Sequence, residues 1–126
     1  CIWEGEIMRK LALAILILPL AACGSGEAPP KPLTAEQSAK LSPSDPKLAE
    51  LYAGSCKACH TVKDSLAPLT GDRTLWDARW AQGEDVLLAA AIQVKKGMPA
   101  GGQCFSCTPD DMKALIRFMA GREGEQ

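Results

Sequence analysis

Cys56-Lys57-Ala58-Cys59-His60 sets two thiols around two intervening residues, with an imidazole directly behind them. Thiols at this spacing can each capture one vinyl group of a single porphyrin as a thioether. The adjacent histidine then falls under the ring, where a neutral imidazole nitrogen binds iron. In an exported chain a C-x-x-C-H run reads as covalent haem attachment, so Cys56 and Cys59 are expected to hold one haem c and His60 its iron. His60 is the only histidine of the chain. A thioredoxin-like redox pair would need a βαβ setting around the motif, and the flanking sequence offers no such strands.

The second axial position calls for a soft, neutral donor. Of the four methionines, Met8 begins the exported reading frame, and Met112 and Met119 share the apolar face of one helical pattern, where filling core gaps is the default role. Met98 alone falls in a loop, between Gly97 and Pro99 and before Cys104. A thioether there favours reduced iron over what harder donors would give, and raises the potential relative to two histidines.

The remaining cysteines separate by setting. Cys104 and Cys107 form a second C-x-x-C, which in an oxidising periplasm is expected to close as a disulfide around a very small loop. All four C-x-x-C cysteines as zinc ligands is the rival, a structural module without colour. Residues 60 to 103, 44 of them, lie between the pairs, far more than the roughly 15 to 20 of a zinc ribbon, and zinc leaves His60 without a role.

Export is legible upstream. Residues 1–7, Cys1 among them, precede Met8 and read as an upstream extension of the reading frame rather than expressed protein. Residues 8–22 then read as a leader: Arg9 and Lys10, an apolar run from Leu11 to Leu18, and small residues before Cys23. That run is too short to span about 30 Å of hydrocarbon. Leu20-Ala21-Ala22-Cys23 resembles a bacterial lipobox, which makes Cys23 the expected lipidated first residue of a periplasmic, membrane-anchored lipoprotein of a Gram-negative bacterium; ordinary secretory cleavage is the alternative. Residues 23–44 hold Pro29, Pro30, Pro32 and Pro43 with few large apolar residues, a composition expected to form a tether reaching roughly 25 Å as a flexible coil.

The domain expected over 45–126 must position these groups, and it is small for an unaided core, with aromatics at only 5% of the chain. A buried haem would supply the missing apolar surface. Ser44 or Asp45 can cap a helix that has Pro46 at its first position and Leu48, Leu51 and Tyr52 on one face. Gly83-Glu84-Asp85 opens a helix through Ile92 to Lys95-Lys96, acids first and bases last as the helix dipole prefers. Thr108-Pro109-Asp110-Asp111 caps a third, with Met112, Leu115, Ile116 and Met119 on one face and Gly121 as its stop. A shorter turn is expected around Trp76 to Trp80. No segment alternates with period two, so the expected class is all-α.

Tyr52-x-x-x-Cys56-x-x-Cys59-His60, Ala67-Pro68-x-x-Gly71-Asp72, Trp76, Gly97-Met98-Pro99, Gly101-Gly102, Cys104-x-x-Cys107 and a last helix carrying Phe118 together resemble a class I c-type cytochrome, most closely the small bacterial cytochrome c-five branch. The resemblance covers nearly all of residues 45 to 122. It implies three to four short helices around one covalently bound haem, with Tyr52 and Phe118 where the first and last helices cross. It also implies a Pro68 carbonyl that accepts the N–H of His60, and a haem pocket that includes Trp76 and Pro99. Asp64-Ser65-Leu66 departs from the small residues that the family has between histidine and proline.

With His60 and Met98 on the iron no coordination position is open to a substrate, and the chain has no second histidine or carboxylate constellation for acid–base work. The expected function is therefore single-electron transfer between redox proteins, without enzyme activity, small-molecule substrate or nucleic acid. The alternative is a five-coordinate haem that binds a diatomic gas or reduces peroxide, which requires Met98 to be off the iron. A formal net charge of −1 sets no strong global field. Lys57, Lys63, Lys95 and Lys96 are tied by sequence to the two segments that flank the haem, and are the expected docking charges for an acidic patch on a partner.

Overall fold

The computed structural model describes residue 26 and residues 28–125. The upstream extension, the leader and Cys23 lie outside the described residues. Six α-helices follow in order: α1 (Ala35–Ala39), α2 (Pro46–Gly54), α3 (Lys57–His60), α4 (Arg73–Trp80), α5 (Glu84–Ile92) and α6 (Pro109–Met119), with 3₁₀ turns at Lys63–Ser65 and Ala100–Gln103. Four of them, α2, α4, α5 and α6, reach two turns or more, in accord with an all-α chain of three to four working helices. The only β pairing among the described residues is an isolated bridge between Lys95 and Met98.

The caps explain where the long helices begin. Asp45 accepts the Leu48 N–H at 2.9 Å and Pro46 occupies the first turn of α2. Thr108 and Asp111 close a reciprocal capping box on α6, with Pro109 inside it. The buried stripe of α6, Met112, Leu115, Ile116, Phe118 and Met119, recurs at helical spacing and forms the spine of the molecule. One side of that spine meets α2, where the Tyr52 and Phe118 rings cross edge to face with centroids 5.0 Å apart. The other meets α5, where Ala91 packs on Met112 and Ile116. Trp80 and Cys107 touch both halves of the core, so the two are joined through α4 and the Cys104–Cys107 bridge.

Three expectations differ from what is found. The region of Trp76 and Trp80 is a full helix rather than a shorter turn, because Asp72 caps it by accepting the Thr74 N–H at 3.0 Å. Helix α5 ends at Ile92, short of Lys95 and Lys96, so no base lies in its last turn; those lysines instead belong to a hairpin that leads to Met98. The stretch expected as a tether up to residue 44 is ordered from Leu33 onward: Thr34 and Gln37 form a capping box on α1, and Ser38 is fully buried against the domain. A five-residue helix is not stable by itself. It forms here because its caps and its packing on the loop between His60 and Asp72 outweigh the ordering entropy that a proline-rich composition alone suggested.

Lys47 and Asp111 tie α2 to the start of α6, with Nζ 2.7 and 2.9 Å from the two carboxylate oxygens. The Lys47 ammonium, aided by the Thr108 hydrogen bonds, holds the Asp111 carboxyl at about 2, below its ordinary 3.8. Because the folded value is depressed, this contribution is fully present above about pH 4 and is lost as pH falls toward 2. Urea unfolding of Asp111→Asn should therefore show a stability deficit at pH 7 that closes between about pH 4 and pH 2. A deficit that stays constant across that window would mean that the carboxylate charge contributes nothing.

Candidate functional site

Helix α3 is a single turn, and it puts the motif where it can act. His60 N–H and Cys59 N–H both bond back to the Cys56 carbonyl, at 3.0 and 3.3 Å. Cys56 is buried and Cys59 exposed, and both are free thiols, whereas Cys104 and Cys107 are joined as a disulfide with Cα atoms 5.4 Å apart. That bridge removes the second thiol pair from any four-thiolate zinc site. Among the described residues no group of three or more His, Cys, Asp or Glu is gathered in a metal-holding arrangement.

His60 is 6% exposed. Its Nδ1 lies 2.8 Å from the Pro68 carbonyl, which can only accept, so Nδ1 carries the proton and Nε2 keeps its lone pair for a metal. Burial lowers the pKa of the imidazole below its ordinary value, against the Pro68 hydrogen bond, and the charge of Arg79 adds a smaller push in the same direction. The ring is thus neutral near pH 7, as ligation requires. Trp76 stacks beside it at a centroid distance of 5.9 Å, its own Nε1–H donating 2.9 Å to the Leu69 carbonyl. The loop that carries Pro68 is closed by Thr70 N–H to the His60 carbonyl at 2.7 Å and by Tyr52 O–H to Thr70 Oγ1 at 2.9 Å. Asp64 and Ser65 belong to a 3₁₀ turn, and Leu66 takes a left-handed φ of 62° with 94% of its surface exposed.

Met98 stands on a two-residue hairpin. Lys95 and Met98 exchange both backbone hydrogen bonds, at 3.1 and 2.9 Å, across Lys96 and Gly97 with φ of 46° and 89°. Left-handed backbone at both central positions is the tight hairpin geometry that favours glycine, hence Gly97. The methionine is half-buried on the α5–α6 side of the core together with Cys104 and Cys107, and Pro99 follows it into the 3₁₀ turn. His60 belongs to the Pro68 loop and Met98 to the Lys95–Met98 hairpin, two separate segments of the chain. Lys95 and Lys96 are exposed, Lys63 is exposed and Lys57 half-buried.

The residues fit a haem. Two free thiols on one helical turn suit the two vinyl groups of a haem, and an imidazole presenting an unprotonated nitrogen and a thioether on a constrained hairpin are donor types that its iron would take. Apolar side chains are also left open near these segments, with Ile92 51% and Val94 76% exposed, as surface that a large flat apolar group would cover. Ser38, Thr70 and Arg79 were not legible as site residues. Only the Thr34-x-x-Gln37 spacing could have signalled order around Ser38.

The chain matches the family model described as cytochrome C oxidase, cbb3-type, subunit III, over residues 43–119. It is 36% identical over 74 residues to cytochrome c5 of Azotobacter vinelandii, an overlap of 57% of this chain and 89% of that protein. Cytochrome c5 of Ectopseudomonas mendocina is 35% identical over 74 residues, 57% of this chain and 85% of that one. Cytochrome c-555 of Chlorobaculum tepidum is 33% identical over 75 residues, 56% and 69%. Among solved structures, a chain from the crystal structure of an electron transfer complex of nitrite reductase with cytochrome c aligns with a TM-score of 0.55 and 32% identity, covering 63% of this chain and 96% of that chain. These matches agree with the thiol pair, the bonded histidine and the helical frame: the chain belongs to the class I c-type cytochromes, in the cytochrome c5 branch, and carries covalently attached haem c for electron transfer.

Proposed function

We propose that this cytochrome is a one-electron carrier with no enzyme activity, its iron held by His60 and Met98 and its haem by Cys56 and Cys59. The observation that carries the reading is the Nδ1–H bond of His60 to Pro68, which leaves one ring nitrogen free and fixes its direction. When bound, the haem iron supplies a centre that cycles by one electron. The chain does the rest: Pro68 and Trp76 keep the imidazole still, the Lys95–Met98 hairpin limits where the sulfur can go, and the Cys104–Cys107 bridge restrains the exit of that loop. Small motions on a change of charge mean little reorganisation. Carbon monoxide titration of the reduced protein tests the reading: no binding at micromolar gas is expected, and ready binding would move the chain to gas sensing or peroxide reduction.

For location and partner the support is the sequence and one relative. Cys23 in a lipobox-like run supports a lipid-anchored periplasmic protein, and the intact mass of the mature N-terminus checks it. The solved relative's title pairs it with nitrite reductase, which supports another redox protein as partner here. Of the four lysines proposed for docking, Lys57, Lys63, Lys95 and Lys96, the last two are exposed next to Met98 in the chain and serve for the test. Charge steering raises association rates by roughly tenfold to a thousandfold and fades with ionic strength. Replacing Lys95 and Lys96 by glutamate should slow electron transfer to an acidic partner by about tenfold at low salt and leave the haem spectrum as it is. Stopped-flow rates that ignore both the substitutions and added salt would place docking on an uncharged surface.

A further inference from the structure

We infer that the segment from Leu33 to Leu41, which precedes the residues matched by the family model, is a clamp on the axial-histidine loop, and that Ser38 is the positioning residue within it. This rests on the reading of His60 as an iron ligand. Ser38 is 0% exposed, and its hydroxyl is aimed at two main-chain carbonyls at once, Thr70 at 2.9 Å and His60 at 3.2 Å. Those carbonyls are the two ends of one loop. The neck of that loop is already closed by the Thr70 N–H bond to the His60 carbonyl, so a single hydrogen shared by Ser38 straps it from outside. Pro68, whose carbonyl orients the imidazole, lies inside it.

The clamp is built rather than incidental. Ser38, His60, Thr70 and Asp72 are four of the five buried polar residues found among the described residues, and all four meet here. Asp72 serves both sides, with one oxygen capping α4 and the other accepting the Leu33 N–H at 3.0 Å. Leu33 and Leu41 close over Gly71, whose absent side chain leaves room for them. From within the core, Tyr52 O–H holds Thr70 Oγ1, so the loop is gripped from inside by α2 and from outside by the strap. A buried hydroxyl is retained only where its hydrogen bonds are made, and an alanine would fill the same space without that requirement. Partners beyond the ligand itself fix a histidine's tautomer, orientation and basicity at a metal. Loosening the neck lets Pro68 drift from Nδ1, and the change reaches the iron through His60.

Native-state amide hydrogen exchange and proton NMR of the full-chain holoprotein test this with Ser38→Ala. The Thr70 amide should exchange roughly 5- to 30-fold faster, while the Leu115 and Ile116 amides of α6 keep their wild-type rates, and the iron-shifted ring resonances of His60 in the oxidised protein should move. A second chain, Leu33→Ala with Leu41→Ala, keeps the hydroxyl but thins the apolar hold, and should give the same selective acceleration even where Ser38→Ala accumulates poorly. Unchanged Thr70 exchange in the variants overturns the clamp. So does equal acceleration at Thr70, Leu115 and Ile116, which is a global stability effect. Ring resonances of wild-type His60 without any iron shift would instead defeat the ligand reading, and Thr70 exchange would still decide the clamp.

Discussion

With Met98 as the proposed iron ligand, Met98→Ala should leave the haem attached to Cys56 and Cys59, but lower its midpoint potential by about 0.2 V or more and open the reduced iron to carbon monoxide. Axial ligation spans roughly 0.8 V among haem proteins, and a methionine opposite histidine lies toward the upper part because the soft thioether prefers ferrous iron. At about 59 mV per decade for one electron, a fall of that size is more than a thousandfold in the ratio of oxidised to reduced protein at fixed poise. The fold should survive. Met98 is half-buried on the margin of the α5–α6 core, and its hairpin is closed by backbone bonds that alanine retains. Met112→Leu and Met119→Leu are the controls: both residues are buried on α6, the swaps conserve volume, and each should cost less than about 1.5 kcal/mol without moving the potential. Potentiometry with spectral detection separates the cases. A Met98→Ala protein with native spectrum and potential removes Met98 from the iron.

What could be read ahead of the structure was whatever depends on short-range spacing. The caps at Asp45 and Thr108, the proline after each, and the stripe from Met112 to Met119 are local rules, and α2 and α6 begin and face as those rules require. The thiol pair and the lone histidine are likewise a five-residue signal. The miss at α1 depended on distant partners. Composition made residues 23–44 a tether, yet Leu33 N–H finds Asp72 and Ser38 finds Thr70, contacts across 39 and 32 positions that no local pattern encodes. Lys95 and Lys96 looked like the basic end of a helix. The two residues that follow the last helical position of α5 lead instead into a hairpin, because Gly97 makes a tight turn available and backbone pairing with Met98 satisfies the freed groups. These two misses fall at the histidine loop and at the methionine hairpin, and the third, the full helix α4, came from overlooking the local cap at Asp72.

Gly71→Ala gathers these non-local demands at one position and should cost about 2–5 kcal/mol, from two separable sources. At φ of +80° an alanine is in left-handed backbone, which costs roughly 1–2 kcal/mol. Its Cβ would also run into Leu41 Cδ1 and lie 3.2 Å from Leu33 Cδ1, an overpacking of about 1–3 kcal/mol. The backbone cannot swing aside to relieve either, because Gly71 N–H donates at 2.7 Å to the Met119 carbonyl and so joins this loop to the last turn of α6. Against a total stability of about 5–15 kcal/mol, that loss is large. Leu41→Ala alone should cost little, since Leu41 is 36% exposed. Combined with Gly71→Ala it frees the space for the new methyl group but not the strained φ, so the double variant should be more stable than Gly71→Ala by about 1–2 kcal/mol, a coupling well beyond the roughly 0.3–0.5 kcal/mol scatter of independent sites. Denaturant unfolding of the four holoproteins measures the cycle. Simple additivity would mean that the strap is not seated over Gly71 in solution, and that only the backbone conformation demands glycine there.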